Sequence, residues 1–387
     1  MADWSELFDE GLEVQSPVSD EQIRVVPAKR GVVLLAGEND EPIVMLTAAD
    51  LRARTRNRLA ERTNADLPVP RKSPDLRRIT RRVYYRRCES LFETDWWFLE
   101  IARQIWPGRY AKMVSWKPPW FIHIHLADAY PHFQRTREVF ARPGCYLGPF
   151  AAARDAEAFI EALQESFDLC RSITCLRRAP NGPRCAYAEM GRCVSPADGT
   201  ISMDAYREIL AGALAFAAGD RAGLRETLTS RMKAAAVALD FERAGTLKAR
   251  RERLETFEQE RFAHVRPAEQ FAHVLVQRGA SRREVRAFLS RQGEMVPLGP
   301  LAWPWKKDEL EGVLSGMKTL SSDASNCDNH SRLRMGLVAR SLFAGPRRGG
   351  LVLWWNEELT AQALGEAMEN HHDDLGLSPS TKPSDDG

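Results

Sequence analysis

The sequence predicts an α+β protein built from several modules, and three observations carry that reading. Short apolar runs bounded by turn formers mark strands near both ends of the chain. Longer apolar stripes at helical spacing mark helices through its middle. Between those helices, residues 169–199 hold Cys170, Cys175, Cys185 and Cys193 among Pro180, Gly182 and Pro183, so a compact, loop-rich knot is expected. At 387 residues the chain has room for two or three domains.

Composition narrows the class. Apolar residues at 44% suffice for real cores, and 28% charged is ordinary for a soluble protein. The 55 basic and 53 acidic side chains nearly cancel, so only local charge informs about partners. No stretch approaches eighteen apolar residues, so no membrane partner is expected. The acidic N-terminus lacks a charged-then-apolar leader, which points to a cytoplasmic protein. Seven cysteines fit a reducing compartment better than a disulfide framework.

In chain order, residues 1–23 are acidic and are expected to form a tail. A small α/β domain is assigned to 24–140. It opens with apolar runs at 32–35 and 43–46 around Gly37, Asn39 and Asp40, a β-hairpin pattern. Thr47 is expected to cap a helix over 48–60, with Asp50 three residues on. Residues 52–87 then carry thirteen basic and only three acidic side chains. The pairs Arg77/Arg78, Arg81/Arg82 and Arg86/Arg87 recur every four or five residues, which suggests a shared helical face. The planar fork of arginine suits phosphate. Arg52, Arg56, Arg58, Arg77, Arg78, Arg81 and Arg82 are therefore candidate DNA contacts, with Tyr84 and Tyr85 as stacking surface. Acids from elsewhere in the fold can equally balance them. A strand over 121–126 alternates His123 and His125 on one face.

The region 141–220 reads as cysteine-containing and helical. It holds an amphipathic helix over 151–167, the knot, and a helix over 203–218 capped by Ser202 and ended by Gly219. Residues 221–260 form a helical hairpin. Leu224, Leu228, Met232, Ala235 and Leu239 lie on one arm, and Ala244, Leu247 and Leu254 on the other. Its stripe needs a cover, from this chain or from a partner. Residues 261–369 read as a small α+β module: strand 271–277, helix 281–289, a Trp303-Pro304-Trp305 turn, helix 332–343 and strand 350–355. The polar residues 370–387 are expected to be a disordered tail.

Three segments carry a family resemblance. They are Gly144-Cys145-Tyr146-Leu147-Gly148-Pro149-Phe150, then Arg184-Cys185 with Tyr187 and Met190-Gly191-Arg192-Cys193, then the hairpin over 228–254. In this order they resemble UvrC, the nucleotide excision repair subunit, over roughly residues 24–258. The N-terminal domain then looks like a GIY-YIG nuclease. Gly31-Val32-Val33 and Val44-Met45-Leu46 stand at its two strand motifs, Ala49-Asp50-Leu51 with Arg54 at its helix motif, and Trp97-Phe98-Leu99-Glu100 at the segment ending in its metal-binding glutamate. The resemblance implies a magnesium ion on Glu100 and phosphorane stabilisation by Arg54. Both motif tyrosines are valine here, at Val33 and Val44. Valine has no titratable group, and general-base help is worth about 10²–10⁴-fold. Cutting is therefore expected to be weak or lost. An active magnesium-dependent endonuclease using Tyr84 or Tyr85 is one alternative, and a protein-interaction module without DNA binding is another. Glu100 paired with Arg103 on a helix surface is the plain structural alternative.

The resemblance further implies a UvrB-like helicase subunit as partner of the hairpin, through Leu228, Met232, Leu239, Phe241 and Leu247. It implies an iron–sulfur cluster in the knot, where zinc also suits a four-thiol site. Ala197 stands at the family's last ligand position, and Cys170 can replace the missing thiolate. Four thiols that simply lie close are the plain alternative. Neither an RNase H-type nuclease nor tandem helix-hairpin-helix repeats are expected after residue 258.

Overall fold

Three antiparallel four-stranded sheets organise the protein in a computed structural model that describes residues 6–59, 76–219, 221–320 and 327–378. In chain order the first unit holds β1 (Glu10–Glu13), α1 (Asp20–Ile23), β2 (Gly31–Ala36), β3 (Pro42–Ala48), α2 (Leu51–Leu59), α3 (Leu76–Ile79), β4 (Arg82–Arg87) and α4 (Leu91–Ile105). Its strand order is β1-β4-β2-β3. Every residue of β2 is buried, because helices cover both faces of the sheet. Val33 and Leu35 pack with Leu51 and Leu59 of α2. Val32, Leu34 and Ala36 point the other way, onto Phe98, Ile101 and Ala102 of α4. The period-2 alternation of a strand thus assigns one helix to each face.

Three expectations change here. The acidic N-terminal segment is no tail: β1 pairs with β4, Glu10 opposite Tyr85 and Glu13 opposite Arg82. The run 82–87 is that β4 strand, so its arginines do not share a helical face. Thr47 still belongs to β3, and Asp50 caps α2 instead, its Oδ1 accepting the Ala53 N–H at 2.9 Å. Residues 60–75 of the basic stretch lie outside the described residues.

The second unit holds β5 (Trp120–Ile124), β6 (Gln134–Thr136), β7 (Cys145–Phe150), α5 (Ala153–Ser166), α6 (Ile173–Leu176), α7 (Ala186–Glu189), α8 (Met203–Ala218), α9 (Arg221–Val237), α10 (Phe241–Leu254) and β8 (Arg266–Pro267), with strand order β6-β5-β7-β8. Ser202 caps α8 as expected, accepting the Ala205 N–H at 3.1 Å. One core joins Phe159, Phe167, Tyr206 and Phe216 to Leu228, Leu254 and Phe257, so the hairpin base packs into the cysteine-containing region. The turn before β7 needs Gly144, at φ 126°, where a Cβ would meet His123 Nε2 and Ile124 O at 2.6 Å.

The third unit holds β9 (Ala272–Arg278), β10 (Glu284–Arg291), β11 (Glu294–Ala302), α11 (Lys307–Thr319), α12 (Asn329–Ala344), α13 (Pro346–Gly349), β12 (Leu351–Trp354) and α14 (Ala361–Asn370), with order β11-β10-β9-β12. The expected helix over 281–289 is instead β10, hydrogen-bonded on both sides. Gln292 and Gly293, at φ 49° and 91°, make the tight hairpin turn that locks it against β11. The C-terminal segment is packed as far as it is described: Leu375 and Leu377 are buried, and Trp303 Nε1 donates to Ser378 O at 2.7 Å. Residues 379–387 of the expected tail lie outside the described residues.

The first and third units are not independent. Phe92, Trp96 and Leu99 of α4 share a core with Phe271, Leu275, Phe288 and Leu333. Helix α4 therefore carries two apolar stripes, one on each unit. No helix among the described residues is long and apolar enough to cross a membrane.

Candidate functional site

The residues at the nuclease motif positions do not converge. Val33 is fully buried and lies opposite Leu46 and Tyr85 in the sheet. Arg54 is exposed on α2, which covers the Val33 face. Glu100 sits on α4, across the sheet. Tyr84 and Tyr85 are buried and already used. The Tyr84 hydroxyl donates to Asp40 Oδ1 at 2.7 Å, and the Tyr85 hydroxyl to Glu10 Oε2. Burial above all pushes both phenols up, Tyr85 to about 12, so they stay protonated donors and make poor bases.

Glu100 is enclosed by the third unit. Arg334 of α12 reaches it as a fork, Nε to Oε1 at 2.8 Å and Nη2 to Oε2 at 2.7 Å. His330 Nε2 lies 3.1 and 3.2 Å from the same two oxygens. The imidazole is fully buried, and its Nδ1 has no partner among the described residues. Burial works to raise the Glu100 pKa, but the hydrogen bonds from His330 and Arg334 outweigh it and hold the carboxyl at about 2. A carboxylate offers about four lone-pair sites, and this one already spends three on basic groups. A magnesium ion on Glu100 does not fit this arrangement, since it would face a guanidinium across the carboxylate. The pairing with Arg103 is also corrected: Arg103 turns to Asp328, at 3.4 Å. No sequence motif marked His330 or Arg334. Their one signal is the four-residue spacing that puts both on one helix face.

The arginine cluster meets the acidic N-terminal segment. Arg77 pairs with Asp20 at 2.9 Å, Arg82 with Glu13 at 2.7 Å and Asp40 at 3.0 Å, and Arg87 with Asp9 at 3.1 Å. Arg81 reaches Glu38 at 3.5 Å. Arg86 stacks on Trp97, 3.4 Å from the ring centroid. Arg78 is exposed on α3. On α2, Arg52 donates to Val26 O at 2.8 Å, while Arg54, Arg56 and Arg58 face solvent. Acids from elsewhere in the fold thus balance much of the cluster among the described residues, and α2 carries an exposed row of three arginines.

The knot brings its thiols into contact. The four sulfurs lie near enough to perturb one another's ionisation, and the Cys170 thiol donates to Ser172 O at 3.5 Å. All four are free thiols, Cys170 and Cys193 buried and the other two half-buried. The contact with Cys170 and the Ser195 N–H, 3.4 Å from its sulfur, hold Cys193 below the usual thiol range, at about 6. Ala197 is buried, and its carbonyl accepts the Gly182 N–H at 2.8 Å. Four thiols match a soft metal in kind. In arrangement, no group of three or more His, Cys, Asp or Glu among the described residues is poised around an ion.

The hairpin divides at its middle. Leu228 is 3% exposed and belongs to the core, and Leu247 and Met232 are half-buried. Arg250 and Arg253 tie α10 to α5 through Ser166 O and Glu165 O, at 3.1 and 2.8 Å. Beyond that base the tip stands free: Val237, Leu239 and Phe241 are 85%, 73% and 69% exposed. Of the residues expected to bind a partner, Leu239 and Phe241 are open to one and Leu228 is not.

The UvrC/Cho excinuclease middle domain matches residues 120–216, which hold β5, β6 and β7 of the second sheet, α5, the knot and most of α8. The UvrABC system protein C of Syntrophotalea carbinolica is 25% identical over 289 residues, 74% of this chain and 46% of that protein. The protein of the same name from Nautilia profundicola is 27% identical over 244 residues, 62% of this chain and 38% of that one. That of Moorella thermoacetica is 32% identical over 131 residues, a third of this chain. The chain spans less than half the length of these relatives. No solved structure matches it. Residues 120–216 are thus similar to the UvrC/Cho excinuclease middle domain, and the similarity to proteins named UvrABC system protein C extends beyond them.

Proposed function

We propose that this chain is a cytoplasmic, UvrC-like DNA-binding protein of nucleotide excision repair that has given up phosphodiester cutting. One observation carries the reading. The positions that resemble a nuclease site hold Val33 and Val44 where proton chemistry is needed, and Glu100 has both oxygens engaged by Arg334 and His330. DNA would lie along α2, where Arg54, Arg56 and Arg58 are exposed. A UvrB-like helicase subunit would take the hairpin tip, where Val237, Leu239 and Phe241 present apolar surface to solvent. An iron–sulfur cluster or a zinc ion, if bound, would be held by Cys170, Cys175, Cys185 and Cys193 and would brace the knot without taking part in chemistry.

A second reading is a protein-interaction module that does not touch DNA. The pairing of Arg77, Arg81 and Arg82 with Asp20, Glu38 and Glu13 favours it. Duplex binding and strand cutting measured in the same samples separate the two. The first reading expects salt-sensitive binding without cutting. Absence of binding at low salt selects the second, and metal-dependent cutting rejects both.

A further inference from the structure

Helix α4 presents three carboxylates to the third unit, and each meets a cation there. Glu93 pairs with Arg286 of β10 at 2.8 Å, and Asp95 with Arg340 of α12 at 2.8 Å. Glu100 takes the fork of Arg334. The carboxylates are 3%, 13% and 17% exposed; Arg286 and Arg340 reach them from the rim of the joint, at 36% and 43% exposed, while Arg334, at 19%, lies inside it. Phe92, Trp96 and Leu99 line the same joint with apolar surface. Trp116 Nε1, just beyond α4, donates to Leu333 O of α12 at 2.9 Å and is buried. The Glu100–Arg334 pair is therefore a half-buried contact backed by a shared apolar core, not a loose surface pairing.

We propose that α12 is an intramolecular plug. Arg334 and His330 occupy the face of Glu100 that a divalent cation would need, and cation access requires the third unit to lift from α4. The plug rests on the reading of Glu100 as an ancestral metal position, and it adds a cause the sequence motifs do not contain. In this view the valine substitutions removed the proton chemistry, while the third unit separately removed the metal. A guanidinium fork is a suitable blocker. It is permanently charged, satisfies both carboxylate oxygens at once, and repels a second cation at the same place. His330 adds a donor from the same helix face, and Tyr110 packs against its ring at 5.5 Å between centroids.

The test uses the full chain with Mn²⁺ as probe. Paramagnetic broadening of the amide signals of residues 97–103 reports cation binding at Glu100 even when it is weak. In the unmodified chain these signals stay sharp. In Arg334→Gln, checked by circular dichroism to be folded, they broaden at a Mn²⁺ concentration at least ten-fold below that affecting the unmodified chain. The double variant Arg334→Gln/Glu100→Gln loses the effect. Broadening already present in the unmodified chain and lost on Glu100→Gln overturns the plug. So does a folded Arg334→Gln variant that binds no better. Should that variant unfold, amide hydrogen exchange in the unmodified chain decides: α4 and α12 open together if the plug lifts as a unit, and fast exchange of α12 over a protected α4 contradicts it. A chain that neither cuts DNA nor gains Mn²⁺ on Arg334→Gln leaves the functional reading standing and sinks only the plug.

Discussion

Arg334 closes its fork on both oxygens of Glu100 from a helix more than two hundred residues away, at 2.8 and 2.7 Å. The contact turns a residue that resembles a metal ligand into part of a joint between two folding units. It also contributes to the acid stability of the protein. A carboxylate whose folded pKa lies below its unfolded value adds stability above the unfolded value and loses it as pH falls. For Glu100 that window runs from 4.5 down to about 2. The stabilisation at neutral pH is about 3 kcal/mol, at 1.36 kcal/mol per pH unit. Burial pushes Glu93 and Asp95 up, which works in the opposite sense, so the effect is read as a difference. Denaturant unfolding of the unmodified chain and Glu100→Gln should differ most at pH 7, with the gap shrinking toward pH 2. A gap independent of pH contradicts the assignment.

DNA binding should depend on α2. Each phosphate contact contributes about −0.9 to the log–log slope of affinity against salt on duplex DNA. Replacing Arg54, Arg56 and Arg58 by alanine should flatten that slope by up to about three such contacts. The same change at Arg77, Arg81 and Arg82, which already face Asp20, Glu38 and Glu13, should flatten it less. The reverse order would place the DNA beside α3 and the start of β4 instead.

The hairpin gives a prediction with an internal control. Phe241→Asp and Leu239→Asp alter exposed tip residues, where substitutions stay within about 0.5 kcal/mol of the unmodified stability. Both should abolish capture of a UvrB-like helicase subunit. Leu228→Asp puts a charge into the core and should unfold the region. Capture that survives both tip variants removes the basis for the partner surface.

Much of the fold was legible, and the failures share a cause. Helix α8 was readable because Ser202 and Gly219 bracket one unbroken apolar stripe. The hairpin of β2 and β3 was readable from two apolar runs around a turn. Strand β10 was not, since its Arg, Glu, Ala and Leu content suits a helix. The Gln292–Gly293 turn and two strand neighbours override that preference. The acidic segment looked like a tail because its partners lie far along the chain: Asp9 meets Arg87, and Glu13 meets Arg82. At the candidate site, Val33, Val44 and Glu100 were visible as motif positions. The plug of His330 and Arg334 was not, because no local pattern encodes a contact that only the packing of α4 on α12 creates.

The knot should show whether Cys170 has replaced the ligand absent at Ala197. Anaerobic purification, an absorption scan near 400 nm, and iron and zinc analysis are sufficient. One iron–sulfur centre or one zinc per chain, lost in Cys170→Ser, supports a four-thiol site. A metal-free, folded protein whose stability is unmoved by Cys170→Ser contradicts it and leaves four thiols held by packing.

Strand cutting tests the central claim most directly. Supercoiled and lesion-bearing duplexes are incubated with the full chain and with Mg²⁺ or Mn²⁺, alongside Glu100→Gln as control. The account predicts no nicking above background in either metal, with DNA still bound at low salt. Metal-dependent nicking by the unmodified chain that disappears in Glu100→Gln would contradict it, and would make Glu100 a working ligand of an active endonuclease.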